Sequence, residues 1–270
     1  MVPCLTYGET LGRGLTIVNG VTQEINLSNE RRGPDLRLFK VLLRLFILAA
    51  ILAVGLKVYF SQVDKIALRV RAQVMAQVQS HHSQFLTYSE IPVMYRRAVV
   101  ATEDRSFYTN FGISFRGIAR ALYVDAKSRR LIEGGSTITQ QLVHNALLES
   151  VPKSLAWKLR ETIYAIGLYD TMSKDETFTL YANDIYFGQN AYGLYAAAET
   201  YFGRPPSQLN AGELTMLAGL PNAPSVYDPF HDMTLARQRQ QLVLTNMIED
   251  KVITQREAKQ ISSEPIHLHP

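Results

Sequence analysis

From Val41 to Phe60 the chain turns abruptly apolar, with an uninterrupted core Leu45 to Leu56 and only Arg44 and Lys57 as charges near its two ends. About 20 residues at ~1.5 Å rise span about 30 Å, the thickness of bilayer hydrocarbon, and both cations can snorkel to the interfaces. The pattern therefore predicts one transmembrane helix over 38–60, with a buried helix of a soluble domain as the alternative. Arg31, Arg32, Arg37 and Lys40 lie just upstream, which puts the N-terminus in the cytoplasm and the C-terminal body outside. A long polar lead and no small-x-small site after the run predict an uncleaved anchor. Residues 1–37 show no sustained period and read as a loosely ordered cytoplasmic tail. Val63, Ile66, Val70, Val74 and Val78 follow at near-helical spacing. They predict an amphipathic stalk over 61–87 that either lies on the membrane or packs on the body.

From residue 88 onward the pattern is helical with strong punctuation and no useful strand alternation, so the expected fold is all-α. An apolar run, Ile91 to Ala101, opens after Ser89 as expected N-cap, carries Pro92 in its first turn, and stops at Glu103-Asp104. Ser114 is expected to cap a helix to about Lys127, Ser136 or Thr137 one over Ile138 to Leu148, and Ser154 a longer one to about Met172. Capping boxes are expected at Ser173 with Glu176, Asn210 with Glu213 and Thr254 with Glu257. Gly203 with Pro205, and Pro221 with Pro224, close two further segments. Leu155, Leu159, Ile163 and Ile166 give the Ser154 helix an apolar stripe, leaving Glu161 on a different face, either toward a cleft or as an exposed partner of Lys158 three residues earlier.

Composition narrows the class. With 270 residues and 47% hydrophobic content the chain can bury a real core and is not a disordered segment. A net charge of +4, with the basic residues clustered near the N-terminus, fits a membrane flank and argues against a nucleic-acid surface. The single Cys4 can form no internal disulfide.

Two stretches carry candidate chemistry by themselves. Glu103 and Asp104 end an apolar helix, where a partly desolvated carboxylate can serve as a general base; the bland alternative is an ion pair with Arg105. Gly134-Gly135-Ser136-Thr137 opens a helix whose free amides could hold an anion, or is simply a capped start. His81-His82 point in different directions and read as solvated linker rather than metal ligands.

Taken in order, four stretches resemble a known family: Glu103-Asp104-Arg105-Ser106-Phe107 with Gly112; Glu133-Gly134-Gly135-Ser136-Thr137-Ile138-Thr139-Gln140-Gln141-Leu142; Lys158-Leu159-Arg160-Glu161; and Tyr181-Ala182-Asn183-Asp184-Ile185-Tyr186-Phe187-Gly188. Their order and spacing are similar to the glycosyltransferase family 51 domain, the peptidoglycan polymerase of monofunctional transglycosylases and bifunctional penicillin-binding proteins. The resemblance runs from about Tyr88 to the C-terminus. It implies a lysozyme-like, two-lobed helical domain over 88–270 that takes lipid II and a nascent glycan strand at the outer face of the bacterial inner membrane. Glu103 matches the family's general base and Glu161 its second glutamate. Asp104, Arg105, Phe107, Ser136, Thr137, Gln140, Gln141, His144, Asn145, Lys153 and Lys158 match cleft or diphosphate-facing positions. The implied reaction is inverting: the acceptor 4-hydroxyl displaces undecaprenyl diphosphate to give a β-1,4 bond. No cofactor is required, and Mg²⁺ or Mn²⁺ on the diphosphate is compatible with the chemistry. Membrane lipid and other proteins of cell-wall synthesis and cell shape are the implied partners. No Lys-Thr-Gly motif follows, and Glu264-Pro265-Ile266 lies near where such domains hand over to the next, so the monofunctional form is expected.

Four positions depart from the family pattern: Asn110 stands for a usual His, His144 for Lys, Trp157 for Arg and Thr179 for Glu. The glutamates survive while the anion-binding shell is thinned. Besides an active polymerase, the sequence therefore leaves open a weakened member that binds lipid II as a scaffold, and a lysozyme-like lytic enzyme.

Overall fold

The computed structural model describes residues 14–18, 21–25, 36–115, 117 and 135–269. The chain divides into two compact units, Met1–Leu56 and Lys57–Pro270.

In the first unit, β1 (Gly14–Val18) and β2 (Val21–Ile25) pair antiparallel, with Gly14 opposite Ile25 and Val18 opposite Val21. This hairpin corrects the expectation of a tail without regular structure. The signal was present: Asn19-Gly20 between two valines is the dipeptide that two-residue hairpin turns favour. Helix α1 (Leu36–Ser80) follows. Among the described residues it is the one helix long and apolar enough to cross a membrane, and its most apolar window is not buried by protein.

The second unit is helical. It takes in the rest of α1, then α2 (Val93–Glu103), α3 (Ile138–Val143) running into a π-helical turn His144–Leu148, and α4 (Leu155–Thr171). Next come α5 (Lys174–Asp184), α6 (Gly193–Phe202), α7 (Ala211–Gly219), α8 (Met233–Glu249) and α9 (Gln255–Ser263). The helices form two groups: α2, α7, α8 and α9 pack together, α3 packs on α4 and α5, and α6 bridges α5 to α7.

Val63, Ile66, Val70, Val74 and Val78 are all buried, so the amphipathic part of α1 packs on the body. Gly167 of α4 makes room for Val63, since an added Cβ would stand 3.0 Å from a valine methyl. The loop after α1 is tied down by Asn183, whose amide side chain exchanges hydrogen bonds with the Leu86 backbone. His81 stacks on Tyr192 at 4.3 Å instead of standing solvated.

Caps follow the sequence closely. Thr137, Asn210 and Thr254 form full capping boxes with Gln140, Glu213 and Glu257, and Ser154 caps α4. Ser114 Oγ accepts from the Gly117 amide at 3.0 Å; the rest of that expected helix, with Lys127, lies outside the described residues. Gly203 ends α6 in the left-handed region. Two details differ. Pro92, not Ser89, stands at the start of α2, because Thr87, Ser89 and Glu90 bond among themselves in the preceding turn. Ser173 caps α5 without a reciprocal bond from Glu176, whose carboxylate is taken by Arg71 at 2.6 Å.

Helix α4 reverses its expected orientation. Leu155, Leu159 and Ile163 are 88%, 60% and 44% exposed, whereas Glu161, Ala165, Gly167 and Leu168 are buried. Helical spacing shows which residues share a face, not which face meets the core.

Candidate active site

Helix α2 ends at Glu103 and lays its buried face, Tyr95, Ala98, Val99 and Ala101, into the core. The last residue of the helix is thereby carried to the rim of a cavity of about 930 Å³. Each carboxylate oxygen of Glu103 has a partner: Gln141 Nε2 donates to Oε2 at 2.8 Å, and Arg239 Nη2 lies 3.7 Å from Oε1. Glu103 and Arg239 side chains are only 13% and 10% exposed. Arg239 comes from α8, is steadied by the Gly219 carbonyl at 3.1 Å and sits over the Tyr227 ring. Below Glu103, the Tyr95 and Tyr181 phenols are fully buried, and desolvation together with the Glu103 charge raises both above the usual tyrosine range.

Asp104 turns inward. Its carboxylate accepts from Asn110 Nδ2 at 3.0 and 2.8 Å, from Ser106 Oγ at 3.0 Å and from the Ile138 amide at 3.4 Å. Burial raises its pKa, while the bonds from Asn110, Ser106 and Ile138 and the charge of Lys174 oppose that rise. Asn110 Oδ1 in turn accepts from Lys174 Nζ at 2.9 Å and from the Gly112 amide at 3.1 Å. The departure at position 110 is thus a satisfied strut.

Gly112 joins three motifs. At φ +94° its Cα lies so close to α4 that an added Cβ would stand 2.3 Å from the Ala165 carbonyl oxygen, and its own carbonyl accepts from Thr137 Oγ1 at 2.7 Å. Only glycine fits this conformation and approach.

The expected anion site at the start of α3 is not free. The amides of Thr137, Ile138 and Gln140 donate to Gln140 Oε1, Asp104 Oδ2 and Thr137 Oγ1. The helix start holds an internal carboxylate in place of a ligand. Thr137 and Gln140 are buried cap residues, and Phe107 is fully buried between Tyr108 and Phe178. Phe107 and Gln140 do not line the cavity, whereas Thr137 lies at its edge.

Glu161 is 2% exposed and paired with Lys158 Nζ, which also donates to Ser136 Oγ at 2.9 Å. The ion pair one turn apart is the bland alternative in geometry, but its carboxylate is buried rather than solvated. Of this trio Ser136 lines the cavity, together with Glu103, Asp104, Arg105 and Thr137. Arg105 does not pair with its neighbours; it reaches Glu249 at 2.7 Å and Asp250 at 3.2 Å.

His144 and Trp157, the two missing cations, meet each other edge-on at 5.2 Å, and Trp157 Nε1 donates to the Leu148 carbonyl. His144 Nδ1 is buried without a hydrogen-bond partner. Burial and then the nearby Lys153 charge lower the His144 pKa, so the ring is neutral at pH 7. Lys153 is exposed and Asn145 half-buried in the π-helical turn. Thr179 bonds its own helix through the Asp175 carbonyl. Among the described residues no three His, Cys, Asp or Glu side chains gather as metal ligands.

Sequence reasoning missed Arg239 and Lys174. Each lies on a helix remote in sequence from its carboxylate, and no local spacing links them. Arg237-Gln238-Arg239 on a long amphipathic helix reads as ordinary solvated charge.

Comparison with known proteins places these features in a family. A family model described as Transglycosylase matches residues 71–248. Penicillin-binding protein 1A of Neisseria lactamica is 40% identical over 184 residues, 68% of this chain and 23% of the relative. The Neisseria gonorrhoeae protein of the same name is 38% identical over 195 residues (72% and 24%), and that of Aquifex aeolicus 40% over 182 (67% and 25%). The chain thus spans about a quarter of the length of these relatives. A crystal structure of penicillin-binding protein 1A from Haemophilus influenzae matches 37% of this chain and 15% of its own at 37% identity, with a TM-score of 0.35.

Proposed function

The chain belongs to the transglycosylase family, and from that premise we propose that it is a membrane-anchored peptidoglycan glycosyltransferase that polymerises lipid II. The observation that carries the reading is Glu103, a carboxylate on the cavity rim held by one neutral donor and one cation. An alcohol is a poor nucleophile and needs a positioned base, an effect of about 10²–10⁴ in rate. Glu103 removes the proton of the acceptor 4-hydroxyl as its oxygen attacks the donor anomeric carbon from the face opposite the diphosphate. The C–O bond to the diphosphate breaks, the centre inverts, and a β-1,4 link forms. Diphosphate leaves already activated, so no strong general acid is needed, unlike glycoside hydrolysis.

Lys158, with Lys153 nearby in sequence, supplies positive charge toward the leaving diphosphate, and Ser136 carries that influence to the cavity edge. Glu161 sets the position of Lys158. Asp104, Asn110 and Lys174 keep the loop after α2 in place. Mg²⁺ or Mn²⁺ on the diphosphate would neutralise part of its charge. Helix α1 is read as the anchor in the inner membrane with the N-terminus cytoplasmic, supported by its apolar length and the flanking cations.

Purified full-length protein given lipid II should yield a ladder of glycan strands. Glu103→Gln should lower polymerisation by at least 100-fold with unchanged folding; equal product from this variant removes Glu103 from the role of base.

The neutral His144 against Trp157 favours a second reading, a domain that holds lipid II but turns it over slowly. His144→Lys is then expected to raise the polymerisation rate severalfold, measured as strands formed per minute. No gain places the deficit elsewhere.

A further inference from the structure

Tyr181 lies on α5 and is 1% exposed. Its hydroxyl faces Gln141 Oε1 at 3.3 Å, a long O–H···O contact of the kind unliganded sites hold, while Gln141 Nε2 donates to Glu103 Oε2 at 2.8 Å. A primary amide presents an acceptor oxygen on one side and two donor hydrogens on the other, so it meets the carboxylate in one of two ways. If turned over, it would set its carbonyl against the Glu103 oxygens and repel them. Burial and the Glu103 charge keep the Tyr181 phenol protonated. A phenol that keeps its proton selects the carbonyl side of the amide.

We infer that Tyr181 is a positioning residue for Glu103, acting through Gln141. Its hydroxyl holds the amide so that NH₂ faces the carboxylate. The inference rests on the reading of Glu103 as the base. Donors to a carboxylate favour its charged form, and this orientation aims one at Oε2 and fixes that oxygen. Oε1 is then left between Arg239 and the cavity.

Tyr181→Phe removes one oxygen and keeps the ring that packs 6.1 Å from Phe178. With the full-length chain in detergent and lipid II as substrate, kcat should fall about tenfold with KM nearly unchanged, as for a misplaced reacting group. The acid limb of the pH–rate profile should move to higher pH. Gln141→Leu should move it the same way, and Tyr181→Phe added to Gln141→Leu should cost nothing further, because the tyrosine acts only through the amide.

A readout independent of turnover is the Gln141 side-chain amide in a sample labelled with 15N-glutamine. Its two hydrogens should be distinct and slow to exchange in the natural chain, and should shift in both Tyr181→Phe and Glu103→Gln. If the natural chain makes no glycan, the functional reading fails while the amide signals still decide the orientation. Wild-type amide signals with wild-type kcat in Tyr181→Phe, or fully additive losses in the double variant, overturn the inference. Should Tyr181→Phe not fold, Gln141→Leu decides: an unmoved acid limb overturns it.

Discussion

At the scale of single residues, Asp184 stands apart from the network around Glu103. It is the last residue of α5, 1% exposed, and neither carboxylate oxygen has a hydrogen-bond partner. A carboxylate at a helix C-terminus also opposes the helix dipole. Burial, then the charge of Glu149, pushes its pKa from 3.8 to about 7. Between those values the folded chain keeps a proton that the unfolded chain releases, so stability falls as pH rises from about 4 to about 7 and is lower by a constant amount above that. The full displacement corresponds to on the order of 4 kcal/mol. Asp184→Asn should therefore raise the thermal midpoint by several degrees at pH 8 and leave it nearly unchanged at pH 4, as read by circular dichroism melts at both pH values. Nothing in the sequence marks Asp184 as unusual. It stands in the fourth motif stretch with Tyr181, Asn183 and Tyr186, and its missing partner exists only in three dimensions.

Among the elements, α4 teaches most. Its stripe of Leu155, Leu159 and Ile163 has the spacing of a core face and yet lies outward, while small residues and Glu161 lie inward. The reason is close approach: Gly167 meets Val63, and the Ala165 backbone meets Gly112. Large side chains at those positions would push α1 and the loop after α2 away. Leu155→Ser with Leu159→Ser is therefore expected to change the thermal midpoint by less than about 1 kcal/mol equivalent, where burial of the same leucines would have cost about 2–5 kcal/mol each. Helix starts, in contrast, were legible almost throughout, because a cap is a local bond between residues three apart. Thr137, Ser154, Asn210 and Thr254 are all where the sequence puts them. The hairpin of β1 and β2 is harder to read, because five residues of alternation per strand are too few to register and the one legible mark is the Asn19-Gly20 dipeptide between them.

For the molecule as a whole, the segment from residue 57 to residue 87 is part of the body. Val63, Val70 and Val74 are at most 1% exposed, and Gln77 donates to the Asp184 carbonyl. A chain starting at residue 57 should fold with a single cooperative melt, whereas one starting at residue 88 should lose the cap over this core and show no melt. Comparing the two by circular dichroism and proteolysis checks this. The four motifs and Glu103 were readable from order and spacing, but the distribution of duties among them was not. Phe107 and Gln140 are buried away from the cavity, and the cation beside Glu103 comes from a helix no motif named.

That last contact bears on how the protein is made. Helix α8 carries Arg239, which faces Glu103, and ends at Glu249 and Asp250, which hold Arg105. During synthesis from the N-terminus, the carboxylate emerges long before either partner. Its surroundings are completed only once residues 239–250 have left the ribosome and docked. A chain stalled earlier would carry every motif and still lack the contacts around Glu103. The contacts around Glu103 thus come together near the end of synthesis, well after α1 has been made.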